Sequence, residues 1–191
     1  MNYARRQQYR RLACAGKAAL GSAVAALLGL VVANAGAASL AGLLLVTAVG
    51  LGLSARRWLS LAGRSRVGAR SEDEVQRALA PLQAEGWRLR HSLQWQGSGD
   101  IDSVAIAPTG LVVAIETKTR TYDRHHLARV HEQAAWLSRR RRRWSRRGVL
   151  AVLCLVRMRG VERCEGDVLV VSIDRLTPVL LVAARMRSDA R

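Results

Sequence analysis

No charged side chain occurs from residue 18 to residue 55, a run of 38. As one straight helix this run would be about 57 Å long at about 1.5 Å per residue. The hydrocarbon core of a bilayer is only about 30 Å thick. Folded back once, the run makes two passes, near residues 14–33 and 38–54, with Asn34, Ala35 and Gly36 at the turn between them. Gly21, Ser22 and Gly29 on the first pass, and Gly42, Gly50 and Gly52 on the second, are small enough to let two helices approach closely. Arg5, Arg6, Arg10, Arg11 and Lys17 precede the run, and Arg56, Arg57, Arg64 and Arg66 follow it. Basic flanks stay on the cytoplasmic side, which predicts a two-pass hairpin in the lipid bilayer of the cytoplasmic (inner) membrane, with both termini cytosolic. Trp58 falls where an interfacial anchor would. Ala33-Asn34-Ala35 also fits a signal-peptidase site; cleavage there would leave the second pass as the anchor.

Charge divides the chain in two. Residues 1–71 carry ten basic side chains and no acidic one; the first acidic residue is Glu72. Seven of the 21 basic residues that follow fall in one run: Arg139, Arg140, Arg141, Arg142, Arg143, Arg146 and Arg147. Cys14, Cys154 and Cys164 match no zinc spacing, and so sparse and odd a set suits a reducing compartment. The expected organisation is a basic cytosolic N-terminus (1–13), the transmembrane hairpin (14–55), a basic juxtamembrane linker (56–67) and one domain over 68–191.

That domain reads as α/β. Ser71 and Glu74 have the spacing of a capping box opening a helix, with Val75, Leu79 and Leu82 as its apolar stripe and Pro81 near its end. Strands are expected near 87–95, 101–107 and 111–118, the last two joined by the turn Pro108-Thr109-Gly110. A helix over 124–143 is followed by two apolar strands, 149–156 and 168–173, and by a last helix over 174–186. Strands with helices before, between and after them predict a mixed sheet in a three-layer arrangement.

The chemistry gathers on the 101–118 hairpin. Side chains alternate along a strand, so Asp102 shares a face with Val104 and Ile106, and Glu116 with Ala114 and Lys118. Closing the hairpin through its three turn residues sets Ala107 opposite Leu111, Asp102 opposite Glu116 and Asp100 opposite Lys118. Two carboxylates facing each other in an apolar sheet repel and titrate abnormally, and a divalent cation between them removes the conflict. Lys118 on the same face can hold a phosphate or orient a water, which together is equipment for metal-assisted phosphodiester hydrolysis. Glu72 lies on the helical face of Val75 and Leu79 and should point inward, or else serves the helix dipole as a first-turn carboxylate. His125, His126 and His131 read as ordinary surface histidines.

These residues carry a resemblance. Gly68-Ala69-Arg70-Ser71-Glu72, then Gly86-Trp87, then Gly99-Asp100-Ile101-Asp102, then Gly110 through Glu116-Thr117-Lys118 resemble the nuclease-related domain (NERD) family of the PD-(D/E)xK, restriction-endonuclease-like superfamily, over about residues 66–156. The resemblance implies a restriction-endonuclease-like fold and a core site of Asp102, Glu116 and Lys118 with Glu72 as the helix carboxylate. It also implies Mg²⁺ (or Mn²⁺) held by Asp102 and Glu116, with DNA as the substrate. Gln133 matches the family's helix Gln, with Arg129 as the alternative position, and Asp100 is a further accessory. Two departures stand out. Ser71 occupies a position where the family often has Gly, and Thr119-Arg120-Thr121-Tyr122 replaces the aromatic and Pro residues that often follow Glu-x-Lys.

The arginine run exceeds what a helix C-terminus needs for its dipole. It suits nucleic-acid phosphates, with anionic lipid as the competing partner. No Ser-His-Asp order, His-Glu-x-x-His pattern or phosphate-cradling glycine loop is present, so no small-molecule cofactor is expected. Two functions remain open: a membrane-anchored, metal-dependent nuclease, or a membrane-tethered module that binds nucleic acid without cutting it.

Overall fold

The computed structural model describes residues 3–95 and 99–189. The chain forms two units, residues 4–66 and residues 67–191.

The first unit is a helical hairpin. Helix α1 spans Tyr3–Asn34 and helix α2 begins at Ala38 and runs to Leu79, its last 13 residues belonging to the second unit. The reversal falls where the sequence places it, at residues 35–37, with Gly36 at φ +85°, a conformation that costs glycine nothing. Both helices are long and apolar enough to cross a membrane. Along α2, Ala41, Ala48, Ala55 and Ala62 are all buried, and their seven-residue spacing is that of a coiled-coil seam. Ala15 and Ala25 of α1 are buried too. The large residues point the other way: Leu20, Val24, Leu27, Leu43, Val46, Val49 and Leu53 are exposed. Close approach is visible at Gly29, where a Cβ would come within 3.2 Å of Leu45, and at Gly21, where it would meet Leu51 at 3.3 Å. The Ser22 hydroxyl donates to the Ala48 carbonyl at 2.7 Å. Gly42 and Gly50 have open space around their Cα atoms and take no part in the contact expected of them.

One expectation at the domain entrance is corrected. The chain does not leave the helical state between the hairpin and the domain: α2 continues through residues 56–67 and on to Leu79. Ser71 is therefore no N-cap. It is buried inside the helix, and its hydroxyl lies 3.4 Å from that of Thr119. A capping box forms only where a helix starts, and here the preceding residues supply the backbone carbonyls.

After α2 a short 3₁₀ turn (Ala80–Gln83) holds Pro81 at its start. Strands β1 (Arg88–Trp95), β2 (Gly99–Ile106) and β3 (Val112–Lys118) follow, then α3 (Arg124–Arg140), β4 (Val149–Leu155), β5 (Glu162–Glu165), β6 (Val168–Ser172) and α4 (Ile173–Asp189). The sheet order is β1-β2-β3-β4-β6-β5. It is mixed, with β3, β4 and β6 parallel and the other pairs antiparallel. One face packs on Val75 and Leu79 of α2 and on Leu176, Leu180 and Ala184 of α4. The other packs on Val130, Ala134 and Leu137 of α3. This is the expected three-layer α/β fold with one further strand. Strand β5, Glu-Arg-Cys-Glu, is an exposed edge held by its pairing to β6 and has no apolar pattern to announce it. Helix α3 also stops three residues short of the expected end. Arg141 leaves the helical region (φ −124°, ψ 44°), and the Trp144 and Ser145 amides turn back to its carbonyl.

Candidate active site

The turn at Gly110 (φ +90°) fixes the β2–β3 register, and the pairs Ser103–Ile115, Val104–Ala114, Ala105–Val113 and Ile106–Val112 match the expected one. Beyond that ladder the Ala107 amide donates to the Leu111 carbonyl at 2.8 Å. Bonded pairs recur at every second residue in an antiparallel ladder, so the Thr117 amide is due a partner on Ile101. It donates instead to the Asp102 carboxylate at 2.8 Å. A side chain thus replaces a ladder bond where the strands part, and Asp102 and Glu116 come together at that opening.

Strand β1 deforms at the same level. Its pairing with β2 passes from His91–Ser103 to Leu93–Ile101, skipping Ser92 and Asp102, and Ser92 adopts φ +53°. Backbone strain of this kind is costly for a residue other than glycine and clusters at functional sites. Here it changes the facing of both strands. Leu89 and Ala105 belong to the layer under α2 and α4, while Leu93 and Ile101 belong to the layer under α3. Simple alternation, which grouped Asp102 with Val104 and Ile106, therefore breaks at Asp102 itself.

The site's electrostatics follow from this crowding. Asp102's carboxyl is held well above the usual carboxylate range, first by burial, then by the charge of Glu116, then by that of Glu72. The Thr117 amide and Lys118 pull the other way and do not offset it. Glu72, half-buried on α2, adds its charge to that upward push. Glu116 is buried. Its Oε1 accepts from Lys118 Nζ at 2.9 Å and its Oε2 from Gln133 Nε2 at 3.2 Å. Gln133, fully buried on α3, has its carbonyl oxygen unsatisfied.

Asp100 does not face Lys118. It pairs with Gln94 on β1, while Lys118 pairs with Leu155 on β4; the parting of β2 from β3 at Asp102 ends the expected opposition. Three further neighbours stand at the site: Arg129, expected only as the alternative to Gln133; His126, expected as a surface histidine; and Trp95, which the sequence does not mark. The Arg129 guanidinium lies over the Trp95 ring, 5.7 Å from its centroid, with Nε 3.8 Å from Glu116 Oε2. That Nε is buried without a hydrogen-bond partner, and Gly99 leaves room for the guanidinium where a Cβ would lie 3.0 Å from it. His126 is not a plain surface histidine. Its amide and ring form a capping box with Asp123. Burial lowers its pKa, and Lys118's charge lowers it further. No sequence pattern marks Trp95, since its role depends on the strand deformation beside it.

Asp102 and Glu116 offer hard carboxylate oxygens. Among the described residues no three His, Cys, Asp or Glu side chains gather closely enough to hold a metal. Mg²⁺, however, keeps several waters and is commonly bound through one or two carboxylates plus substrate phosphate. Three acidic groups and the resulting upward push on Asp102 are the imbalance that such an ion relieves, so the residues present fit it.

The arginine run lies at the other end of the sheet. Arg147's amide donates to the Gly110 carbonyl at 3.1 Å, and Gly148's carbonyl accepts from the Val112 amide at 3.1 Å. Both contacts are at the hairpin turn, at the far end of β3 from Glu116. Arg147 Nη1 also donates to the Arg187 carbonyl on α4 at 2.6 Å, so part of the run is structural.

No curated protein and no solved structure matches the chain. Residues 67–156 match the family model of the nuclease-related domain, NERD. That stretch runs from the α2 segment bearing Glu72 to the end of β4 and holds every candidate catalytic residue. Within the α/β domain of this chain, residues 67–156 are thus similar to the nuclease-related domain family.

Proposed function

We propose that the protein is a membrane-anchored, cytosol-facing nuclease that hydrolyses DNA phosphodiesters with Mg²⁺ or Mn²⁺. The observation that carries this reading is the meeting of Asp102 and Glu116 where the β2–β3 ladder opens, with Lys118 bonded to Glu116 beside them. Asp102 and Glu116 would hold the ion, with Glu72 adding negative charge nearby. When bound, such an ion supplies Lewis-acid polarisation of the phosphate and a more acidic water. Gln133 fixes the rotamer of Glu116 through Oε2. Lys118, part-exposed, can exchange its bond to Glu116 for a phosphate oxygen or a water. The Thr117 amide keeps the Asp102 carboxylate turned into the opening.

The hairpin supports the anchor. Its large apolar residues face outward and its small residues face the partner helix, the arrangement of helices whose surroundings are as apolar as their side chains. The basic residues at both open ends support a cytosolic domain.

A second reading, a tether that binds DNA without cutting it, is favoured by one observation: both oxygens of Glu116 are already bonded, to Lys118 and to Gln133. The two readings part in one experiment. Full-length protein in detergent is incubated with linear, supercoiled and single-stranded DNA, with Mg²⁺, Mn²⁺ or chelator. Cleavage is expected to require the metal and to fall about 10²–10⁴-fold in Glu116→Gln. Salt-sensitive binding without cleavage would favour the tether. Cleavage unchanged in Glu116→Gln would overturn the assignment of the site.

A further inference from the structure

The arginine run and the catalytic end are separated by most of the length of β3. Gly110, against which Arg146 packs, with a Cβ approach of 3.3 Å, is six residues from Glu116. At about 3.3 Å per residue this is roughly 20 Å. The run therefore cannot bind the phosphate being cut. It forms two adjoining cavities of about 300 and 330 Å³ that share Arg143 and Trp144. The larger also takes in Arg146 and, from edge strand β1, Arg88. Arg90, exposed, follows two residues along β1 toward the catalytic end, where Arg129 lies over Trp95. The basic groups thus form a row along the sheet that ends at Glu116.

We infer that this distal pocket, centred on Arg143, Arg146 and Arg88, is a second phosphate-binding site. It would grip the backbone of the same DNA molecule about six base pairs from the bond being cut and so set a minimum substrate length. Successive phosphates on one strand are about 3.4 Å apart along the axis, so the 20 Å offset corresponds to about six steps. A guanidinium matches a phosphate with two parallel donors and stacks on aromatic rings, as Arg141 does on Trp144 at 5.0 Å. A planar lipid surface calls for no row of basic groups leading to the carboxylates. The inference rests on the nuclease-like reading of the site and adds the length of duplex it engages.

The test uses full-length protein in detergent and duplexes with one preferred cleavage position, flanked on one side by 2, 4, 6, 8 or 12 base pairs. Cleavage rate and fluorescence-anisotropy binding are both followed. The wild type is expected to gain about tenfold in both as the flank grows past six base pairs, and nothing beyond eight. In Arg143→Gln/Arg146→Gln that ratio should fall to about one, and the dependence of binding on salt should weaken by about two in logarithmic slope. Arg143→Lys/Arg146→Lys should recover part of it, which separates loss of charge from misfolding. Cleavage or binding with no dependence on flank length would overturn the second site and leave the nuclease reading standing. So would a double variant that keeps the length dependence but loses binding to phosphatidylserine vesicles, which would assign the run to lipid. Absence of both cleavage and binding, on every duplex and with either metal, would overturn the reading beneath it as well.

Discussion

The hairpin and the α/β domain use the same apolar residues in opposite ways. In the domain, Val, Ile and Leu fill the interior, with Ile115, Leu153 and Leu176 fully buried. In the hairpin the interior is Ala, Gly and Ser, and the larger residues lie outside: Val46 is 72% exposed, whereas Ala48, two positions on, is 7% exposed. Water drives large apolar groups inward, and the domain obeys it. Lipid gives no such drive, so helices in it gain most from close backbone approach, which small residues permit. The contrast is the one expected between a lipid-facing hairpin and a water-facing domain, and it separates them better than hydropathy does, because a buried helix of a soluble protein is apolar too.

The largest effect that tests this contrast is in the domain. Ile115→Ala removes a fully buried side chain from β3 and should cost about 2–5 kcal/mol of domain stability, read as the shift in urea midpoint. Val46→Ala, which removes as apolar a group from the hairpin's outer face, should leave helix pairing unchanged. Val46→Arg should disfavour insertion by about 2.5–3.5 kcal/mol, seen as a shift from the membrane to the soluble fraction. A large loss of stability in aqueous buffer from Val46→Ala would mean that the outer face is covered by protein, and the contrast would collapse.

Much of this architecture is legible in the sequence, and the parts that are not have physical reasons. The hairpin turn is marked by Gly36 between two charge-free stretches. The sheet's central strands are marked by unbroken apolar runs such as 149–155. Register follows from the three-residue turn as far as the pair Ser103–Ile115, one residue short of Asp102 and Glu116. What the sequence hides is non-local or cooperative. Ser71 with Glu74 has the composition of a helix start, but the helix is already running when it reaches them. Strand β5 is made by its partner and not by its own residues. The strain at Ser92 and the switch of facing at Asp102 have no local signature, and they decide which residues meet Glu116. The arginine run is conspicuous in the sequence, whereas its placement at the far end of β3 depends on the fold.

A smaller effect sharpens the hairpin side. Ala48 sits in the seam, and its carbonyl accepts from Ser22. Ala48→Leu adds volume where the helices are in contact, and should cost about 1–3 kcal/mol and loosen their pairing. Disulfide cross-linking between cysteines introduced at Gly29 and Leu44, where a Cβ on Gly29 would lie 3.3 Å from that of Leu44, would then slow relative to the parent. A soluble-type core predicts the opposite, since Leu would fill an underpacked interior. Faster cross-linking and a higher melting temperature would count against close small-residue packing.

The smallest effect concerns a place where, among the described residues, the domain departs from its own rule by burying charge. Asp102's carboxyl is pushed upward by burial and by Glu116 and Glu72, so the folded state binds its proton more tightly than the unfolded chain does. Its contribution to stability is therefore fully present below the unfolded value of about 3.9. That contribution is lost as pH rises toward the raised folded value and does not return at higher pH. Asp102→Asn keeps an oxygen for the Thr117 amide and removes the charge. At pH 7 without divalent metal it should be more stable than the parent by about 1 kcal/mol, a rise of a few degrees in Tm, although cleavage is lost. Below pH 4 the two proteins should melt together. Mg²⁺ should then raise the parent's Tm and leave that of the variant nearly unmoved, because the ion and the substitution relieve the same repulsion. If the variant is instead less stable at pH 7, the carboxylate is held by attractions stronger than the crowding around it, and the case for a cation between Asp102 and Glu116 loses its physical basis.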